Sequence, residues 1–393
     1  MKFPAHFLWG TATSAYQIEG NNSNTDWWYW ENNKKRGQKY PLESSGLACD
    51  SYNRYEEDFD LCKELNNNAV RISVEWARIE PSEGKFDYRE IAHYKKVLSA
   101  AKDRGLKTFV TLHHFTNPLW FYKKGGWTNI RSPHYFARYA KECAKEFGPL
   151  VDVYLTINEP QVYALMSYTV GKWPPNKSNL FLSLIVQLNL MSAHNEAYKK
   201  IKSVGKFTVG LVKQIVWYET FEQKPYFWDS WCAKIIFWLN CDFFLKSVKK
   251  NLDVIGLNYY FTSQIKNLRP TNPKGMVSNL NWWINSDGLK NVLLHLKKYN
   301  LPIYITENGL ADSQDRLREM FIKNMLTATY EAMQKGSPVK GYFHWSLIDN
   351  FEWHEGYWPK FGLVAIDRKT LERKPRKSFY YYAKICNNNS LDE

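Results

Sequence analysis

The sequence predicts an α/β protein, a single (β/α)8 TIM barrel, and three observations carry that prediction. Short β-branched or aromatic runs alternate with longer stretches of helical periodicity. Eight such units occupy 393 residues with no Pro/Gly/Ser-rich linker, abrupt composition shift or close repeat, so residues 1–393 read as one domain. No G-x-G-x-x-G or G-x-x-x-x-G-K-[ST] loop is present, which removes the nucleotide-binding turn of the competing doubly wound sheet.

The elements follow in order. Phe7–Thr11 is the first strand candidate, followed by a helix over Tyr52–Leu65. Ala69–Val74 and Thr108–Leu112 are the second and third strands, separated by a helix over Tyr88–Asp103. Pro133–Phe147 leads as a helix to the fourth strand, Val153–Ile157, and Leu180–Ile201 to the fifth, Thr208–Val212. A helix over Phe227–Lys249 precedes the sixth strand, Val254–Leu257, and one over Asp287–Tyr299 the seventh, Ile303–Thr306. Arg316–Gln334 leads to the eighth, Gly341–His344, and a helix over Ser378–Ile385 closes the chain.

Composition excludes several classes. With 44% hydrophobic and 23% charged residues the chain is neither disordered nor fibrous. The 53 Lys and Arg exceed the 39 Asp and Glu, a net charge of +14. The basic residues are dispersed, in doublets such as Lys34-Lys35, Lys95-Lys96, Lys199-Lys200 and Lys249-Lys250, rather than gathered in a stripe, so nucleic acid is not an expected partner. Six cysteines without C-x-x-C pairs or zinc-ligand spacing read as reduced structural thiols. No metal or organic cofactor is implied by any spacing. The N-terminal MKFPAHFLWG lacks the sustained apolar run and small-residue cleavage site of a signal peptide, and no apolar run is long enough to span a bilayer; a cytoplasmic location is expected. Aromatic residues reach 17%, and flat amphipathic rings suit the apolar faces of sugars.

A barrel gathers its chemistry at the C-terminal ends of the strands. Those positions hold Gln17 and Glu19, Arg71, Glu75, His113-His114, Asn158-Glu159, Asn258-Tyr259-Tyr260, Glu307-Asn308, Trp345 and Asn350-Phe351-Glu352-Trp353. Carboxylates, amides and indoles suit a neutral polyhydroxylated ligand better than a phosphate. Glu159 and Glu307 follow strong apolar runs in matching contexts, each beside an Asn. A pair of carboxyl groups across a cleft is what glycoside hydrolysis requires.

The segments FLWGTATSAYQIEG (7–20), VRISVEWARIEP (70–81), TLHHFTNPLWF (111–121), LTINEP (155–160), VIGLNYY (254–260), YITENG (304–309) and HWSLIDNFEWHEGYWPKFGLVAID (344–367) resemble the signature blocks of family 1 glycoside hydrolases, the β-glucosidase and β-galactosidase group. The resemblance runs in the same order from the N-terminus to the last helix. It implies a retaining mechanism on β-glycosides or oligosaccharides, with Glu159 as acid/base and Glu307 as nucleophile. Arg71 and Tyr260 would favour the ionised form of Glu307, and Asn158 would bind the sugar 2-hydroxyl. Gln17, His114, Glu352 and Trp353 match positions that bind the other hydroxyls, Trp345 the platform under the ring, and Phe361 the pocket edge. His113 and Asn258 are expected to act as supports behind these side chains.

Glu352 argues against phosphorylated glycosides, because a carboxylate would repel the phosphate dianion. Glu159 argues against relatives that lack the acid/base. A sugar-binding protein that had lost catalysis would not need both glutamates with Arg71 beside them. The chain is short for this group; the reduction is expected between the fifth and sixth strands, with an unusual NLNWWIN at 279–285, so the aglycone side of the cleft should be open. The segment 226–245 reads as a helix buried on all sides. The competing reading is an uncovered apolar patch for a membrane surface or a second copy, aided by Lys246, Lys249 and Lys250.

Overall fold

Eight parallel strands close into a barrel in sequential order: β1 (Leu8–Ala12), β2 (Ala69–Ser73), β3 (Lys107–His113), β4 (Val153–Asn158), β5 (Thr208–Gln214), β6 (Val254–Asn258), β7 (Ile303–Asn308) and β8 (Val339–Trp345). The computed structural model describes residues 1–33, 39–41, 43–220, 226–272 and 275–392; the Lys34-Lys35 doublet lies outside them. The ends of each strand differ from the sequence expectation by at most two residues. β1 closes the barrel, pairing with β8 (Leu8↔Gly341) on one side and β2 (Gly10↔Ala69) on the other.

The strand sequences read as nearly continuous apolar runs because both of their faces are buried. Inside the barrel, Phe109 packs against Phe343 (ring centroids 4.8 Å apart) and Tyr304 (4.9 Å). Gly10 makes this filling possible, since a Cβ there would lie 2.6 Å from the Phe343 ring. The outer layer holds the helices α1 (Ser51–Glu64), α2 (Tyr88–Asp103), α3 (Ser132–Phe147), α4 (Leu180–Lys202), α5 (Phe227–Asn240), α6 (Ser286–Leu296), α7 (Arg318–Gln334) and α8 (Lys377–Asn388). Local chemistry starts several of them. Asp87, Asn179 and Asn285 accept backbone N–H groups at the first turns of α2, α4 and α6.

Two sequence expectations are corrected here. The helix expected over Phe227–Lys249 is two helices, α5 and a shorter one over Asp242–Val248, broken at Cys241. The buried Asp242 carboxylate at the break accepts from Tyr299 Oη (2.7 Å) and Lys298 Nζ (2.8 Å), which ties the new helix start to the segment after α6. Nor is this segment buried all round: within α5 only Asp229 and Ala233 are buried, while Phe227, Trp228, Trp231, Ile235, Trp238 and Leu239 are exposed. Small strands at Trp217–Thr220, Thr262–Lys266 and Arg269–Thr271 form a separate sheet over this side of the barrel. Among the described residues no helix is long and apolar enough to cross a membrane.

Both strands that carry the glutamates slip register near their C-terminal ends. The β4–β5 pairing shifts between Leu155 and Asn158, and the β6–β7 pairing between Ile305 and Glu307. Such irregularities re-aim side chains at a barrel mouth.

Candidate active site

A cavity of about 520 Å³ opens at the C-terminal ends of the strands. Its wall includes His114, Asn158, Glu159, Tyr260, Glu307, Trp345, Glu352, Trp353 and Phe361, so the barrel gathers residues from five separate sequence blocks.

Glu307 is the terminal carboxylate of β7 and is 3% exposed. Its Oε1 accepts from Arg71 Nη1, and its Oε2 accepts from Tyr260 Oη at 2.5 Å. Arg71 is fully buried on β2, and each of its nitrogens is used: Nε donates to Thr111 Oγ1 (3.1 Å), Nη2 to Asn158 Oδ1 (2.7 Å) and Nη1 also to the Thr306 carbonyl (3.3 Å). A fixed fork held this way orients one oxygen of Glu307 and neutralises its charge. Burial, and after it the Glu307 charge, push the Tyr260 phenol well above its ordinary range, so it stays a donor.

Glu159 follows β4 directly in a left-handed conformation (φ +43°), and its N–H donates to the Val212 carbonyl at 2.9 Å. A non-glycine residue held there is costly and persists only where neighbours enforce it. The conformation directs the side chain into the cavity, where Oε1 accepts from Asn258 Nδ2 at 2.7 Å. Burial raises the proton affinity of Glu159, the Glu307 charge raises it further, and Asn258 and Arg71 pull the other way. One carboxyl therefore has a cation beside it while the other has a neutral amide and a negative neighbour, an arrangement that separates a base from an acid.

The remaining positions form two groups. Asn158 links the two glutamates: Oδ1 accepts from Arg71 and from Asn258 Nδ2 (3.2 Å), while Nδ2 faces His114 Nε2 (3.2 Å). His114 is kept neutral by burial and then by Arg71, and its ring stacks on Trp345 (6.1 Å) and Trp353 (6.0 Å). Gln17 does not line the cavity; fully buried behind Glu352, it donates to the Phe351 carbonyl (2.8 Å) and approaches Glu352 Oε2 at 3.4 Å. Glu352 is pushed up to about 8, by burial first and then by the charges of Glu307 and Glu355. Phe361 meets Tyr260 edge-on at 6.0 Å.

Other strand-end carboxylates are engaged elsewhere. Glu19 accepts from Arg78 Nε (2.9 Å) and Tyr94 Oη (2.8 Å), and Glu75 accepts from Thr116 Oγ1 (2.9 Å). His113 lies behind the wall against Asn117 Oδ1 (3.1 Å). Asn258, also expected behind the site, donates directly to Glu159. Trp282, within the unusual 279–285 segment, packs on Tyr260 (5.5 Å) and Phe361 (6.1 Å) and joins the wall. Lys213 on β5 was not legible as special: fully buried, its ammonium lies 5.1 Å from the Phe244 ring, and burial brings it down to about 7.

The wall on the β4–β5 side is mainly apolar, with Val162, Leu165, Met166, Val216 and Tyr218. Outside the cavity, Cys241, Asp242 and His295 bring ligand-type atoms within 4.8 Å of one another, but Lys298 Nζ already sits on Asp242 (2.8 Å) and His295 Nε2 (2.6 Å). An ammonium in that place leaves no charge for a cation to neutralise.

The family model for glycosyl hydrolase family 1 matches residues 1–234 and 240–391. The chain is 30% identical to a β-galactosidase of Pyrococcus woesei, over 99% of this chain and 98% of that protein. It is also 30% identical to β-glucosidase A of Thermotoga maritima, covering 100% of this chain and 99% of that one. Among solved structures, a β-glycosidase from Pyrococcus horikoshii superposes with a TM-score of 0.93 at 36% identity, covering 100% of this chain and 96% of the other. The β-glucosidase from Thermotoga maritima in complex with glucoimidazole gives 0.93 at 28% identity, covering 99% and 100%.

Proposed function

The chain belongs to glycosyl hydrolase family 1 and is a glycosidase; from that membership we propose that it is a retaining exo-β-glycosidase acting through one catalytic barrel. Its substrates are terminal non-reducing β-D-glucosyl residues, with β-galactosyl and β-fucosyl residues as further glycones. The single observation that carries the proposal is the unequal pair: Glu307 held by Arg71 and Tyr260, and Glu159 buried beside that charge in the same cavity, where its proton affinity is raised.

In the first step Glu159 gives its proton to the glycosidic oxygen while a Glu307 oxygen attacks the anomeric carbon. The bond to the leaving group breaks, a glycosyl ester forms, and Glu159 is left ionised. Forming the ester removes the charge on Glu307, so Glu159 is no longer opposed by a negative neighbour and becomes a stable base. A water then attacks the same carbon, its proton passes to Glu159, and the released sugar keeps the β configuration. Asn158 contacts the 2-hydroxyl, His114, Glu352 and Trp353 serve the other hydroxyls with Gln17 orienting Glu352 from behind, and Trp345 carries the ring. Glu352, ionised or protonated, supplies no counter-charge for a 6-phosphate.

The apolar wall on the β4–β5 side supports an open aglycone site, in keeping with a shortened connection between β5 and β6. Six unpaired cysteines support a reducing, cytoplasmic setting. The test is nitrophenol release from β-linked nitrophenyl gluco-, galacto-, fuco-, manno- and 6-phosphoglucosides, with Glu307→Ala as the control. Turnover of neutral glycosides that the variant lacks, and that azide restores with inverted product, supports the proposal. Activity confined to the phosphorylated substrate overturns the role of Glu352, and silence throughout overturns the reaction.

A further inference from the structure

An amphipathic helix normally turns its apolar face inward. α5 turns most of its large apolar residues the other way. Inward it places Asp229, which accepts the backbone N–H groups of Asn267 (3.1 Å) and Leu268 (2.7 Å), Ala233 and the half-buried Phe237, whose ring packs on Trp217 (5.1 Å). Its outward residues include Phe227 (66% exposed), Trp228 (55%), Trp231 (54%) and Ile235 (51%). Several large aromatic side chains on one helix face exceed the scattered apolar exposure of an ordinary surface.

A second exposed apolar row stands at the start of α4, where Leu180, Phe181, Leu184 and Leu188 face outward, Phe181 at 70% exposure. Both rows adjoin the mouth of the catalytic cavity. Asn240, the last residue of α5, lines that cavity. Leu165 lines it too while being exposed, and its turn is tied to the start of α4 by the Asn179 N–H to the Tyr168 carbonyl (2.6 Å) and Ser183 Oγ to the Ala164 carbonyl (3.2 Å).

Charge decides between occupants. Lys234 is exposed on α5 itself, and Lys246, Lys249 and Lys250 are exposed just beyond it. A second copy of this chain would bring another +14 charge and a second set of these lysines against the first. An anionic lipid surface offers the complementary charge together with the apolar–polar boundary that Trp and Lys side chains favour. We propose that the outward face of α5, with the adjoining start of α4, docks on the surface of an anionic phospholipid bilayer, lying in the interface beside the cavity mouth without spanning the membrane.

Flotation of the full chain with phosphatidylcholine–phosphatidylserine vesicles, compared with phosphatidylcholine alone, tests this and does not depend on catalysis. The wild-type chain should float with the anionic vesicles. A Trp228→Glu/Trp231→Glu variant should lose about tenfold of the bound fraction. Its circular dichroism and turnover of a soluble nitrophenyl glycoside should stay at wild-type level, because both side chains are outside the cavity. A Lys246→Glu/Lys249→Glu/Lys250→Glu variant should lose the salt-sensitive part of binding. A wild-type chain that stays down with both vesicles, or a Trp variant that floats equally well, overturns the proposal. Light scattering that shows a dimer dissociated by the Trp substitutions, with no flotation, assigns the face to a second copy and also overturns it.

Discussion

Replacing Asn258 by Ala should move the alkaline limb of the kcat/KM profile upward. In the free enzyme that limb reports the proton on the acid, and Asn258 donates to Glu159 Oε1 at 2.7 Å. A donor favours the anion, so its loss must raise the proton affinity of Glu159. A hydrogen bond to a charged acceptor contributes about 1.5–3 kcal/mol, and one pKa unit corresponds to about 1.4 kcal/mol. The limb should therefore shift up by about one to two units. Thr306 Oγ1, which donates to Asn258 Oδ1 at 2.8 Å, also loses its acceptor, so kcat/KM at the optimum should fall about 10- to 100-fold as Glu159 loses its fixed orientation. Asn258→Asp should shift the limb at least as far, since it adds a negative charge beside Glu159. The assay is nitrophenyl glycoside hydrolysis under kcat/KM conditions across pH, with circular dichroism as the check on folding. An alkaline limb that stays in place in both variants, or moves down, would refute the reasoning.

Two other substitutions probe independent parts of the account. Tyr260→Phe removes the 2.5 Å donor to Glu307 and should lower kcat/KM about 10- to 100-fold, measured on the same substrates. Lys213→Met should raise the melting temperature most in mildly acidic buffer. The folded-state value near 7 lies below the unfolded one near 10.5, so the cost of burying the ammonium is complete below pH 7 and fades as pH rises toward 10.5. Those two values set an upper limit of roughly 4–5 kcal/mol, and thermal melts at pH 6 and pH 9.5 should show a gain that shrinks at the higher pH. An equal gain at both pH values would point to packing alone.

The fold was legible because parallel strands buried on both faces read as uninterrupted apolar runs, and all eight runs stood out against their helices. The glutamates were legible for a related reason: a carboxylate right after such a run has nowhere to go but the barrel mouth. Position alone did not separate them from Glu19 and Glu75, which also follow strands but are engaged by Arg78, Tyr94 and Thr116. Those partners come from distant segments, and only tertiary structure brings them near. The direct bond from Asn258 to Glu159 joins residues 99 positions apart, a pairing that leaves no local residue pattern. Composition showed that 226–245 was unusually apolar, but which side of a helix faces outward depends on what packs against it. Asp229 faces inward because it caps the backbone at Asn267 and Leu268, and that turns the aromatic residues out.

The central claim is that Glu307 becomes covalently glycosylated while Glu159 carries the proton. Intact-mass analysis after incubation with a 2-deoxy-2-fluoro-β-glucoside bearing a good leaving group tests it most directly, because the fluorine slows release of the intermediate more than its activated formation. The account predicts a mass increase of one fluorosugar that peptide mapping places on Glu307 and that Glu307→Ala abolishes. A label on Glu159, or product formed with inverted configuration and no labelled protein, would contradict it.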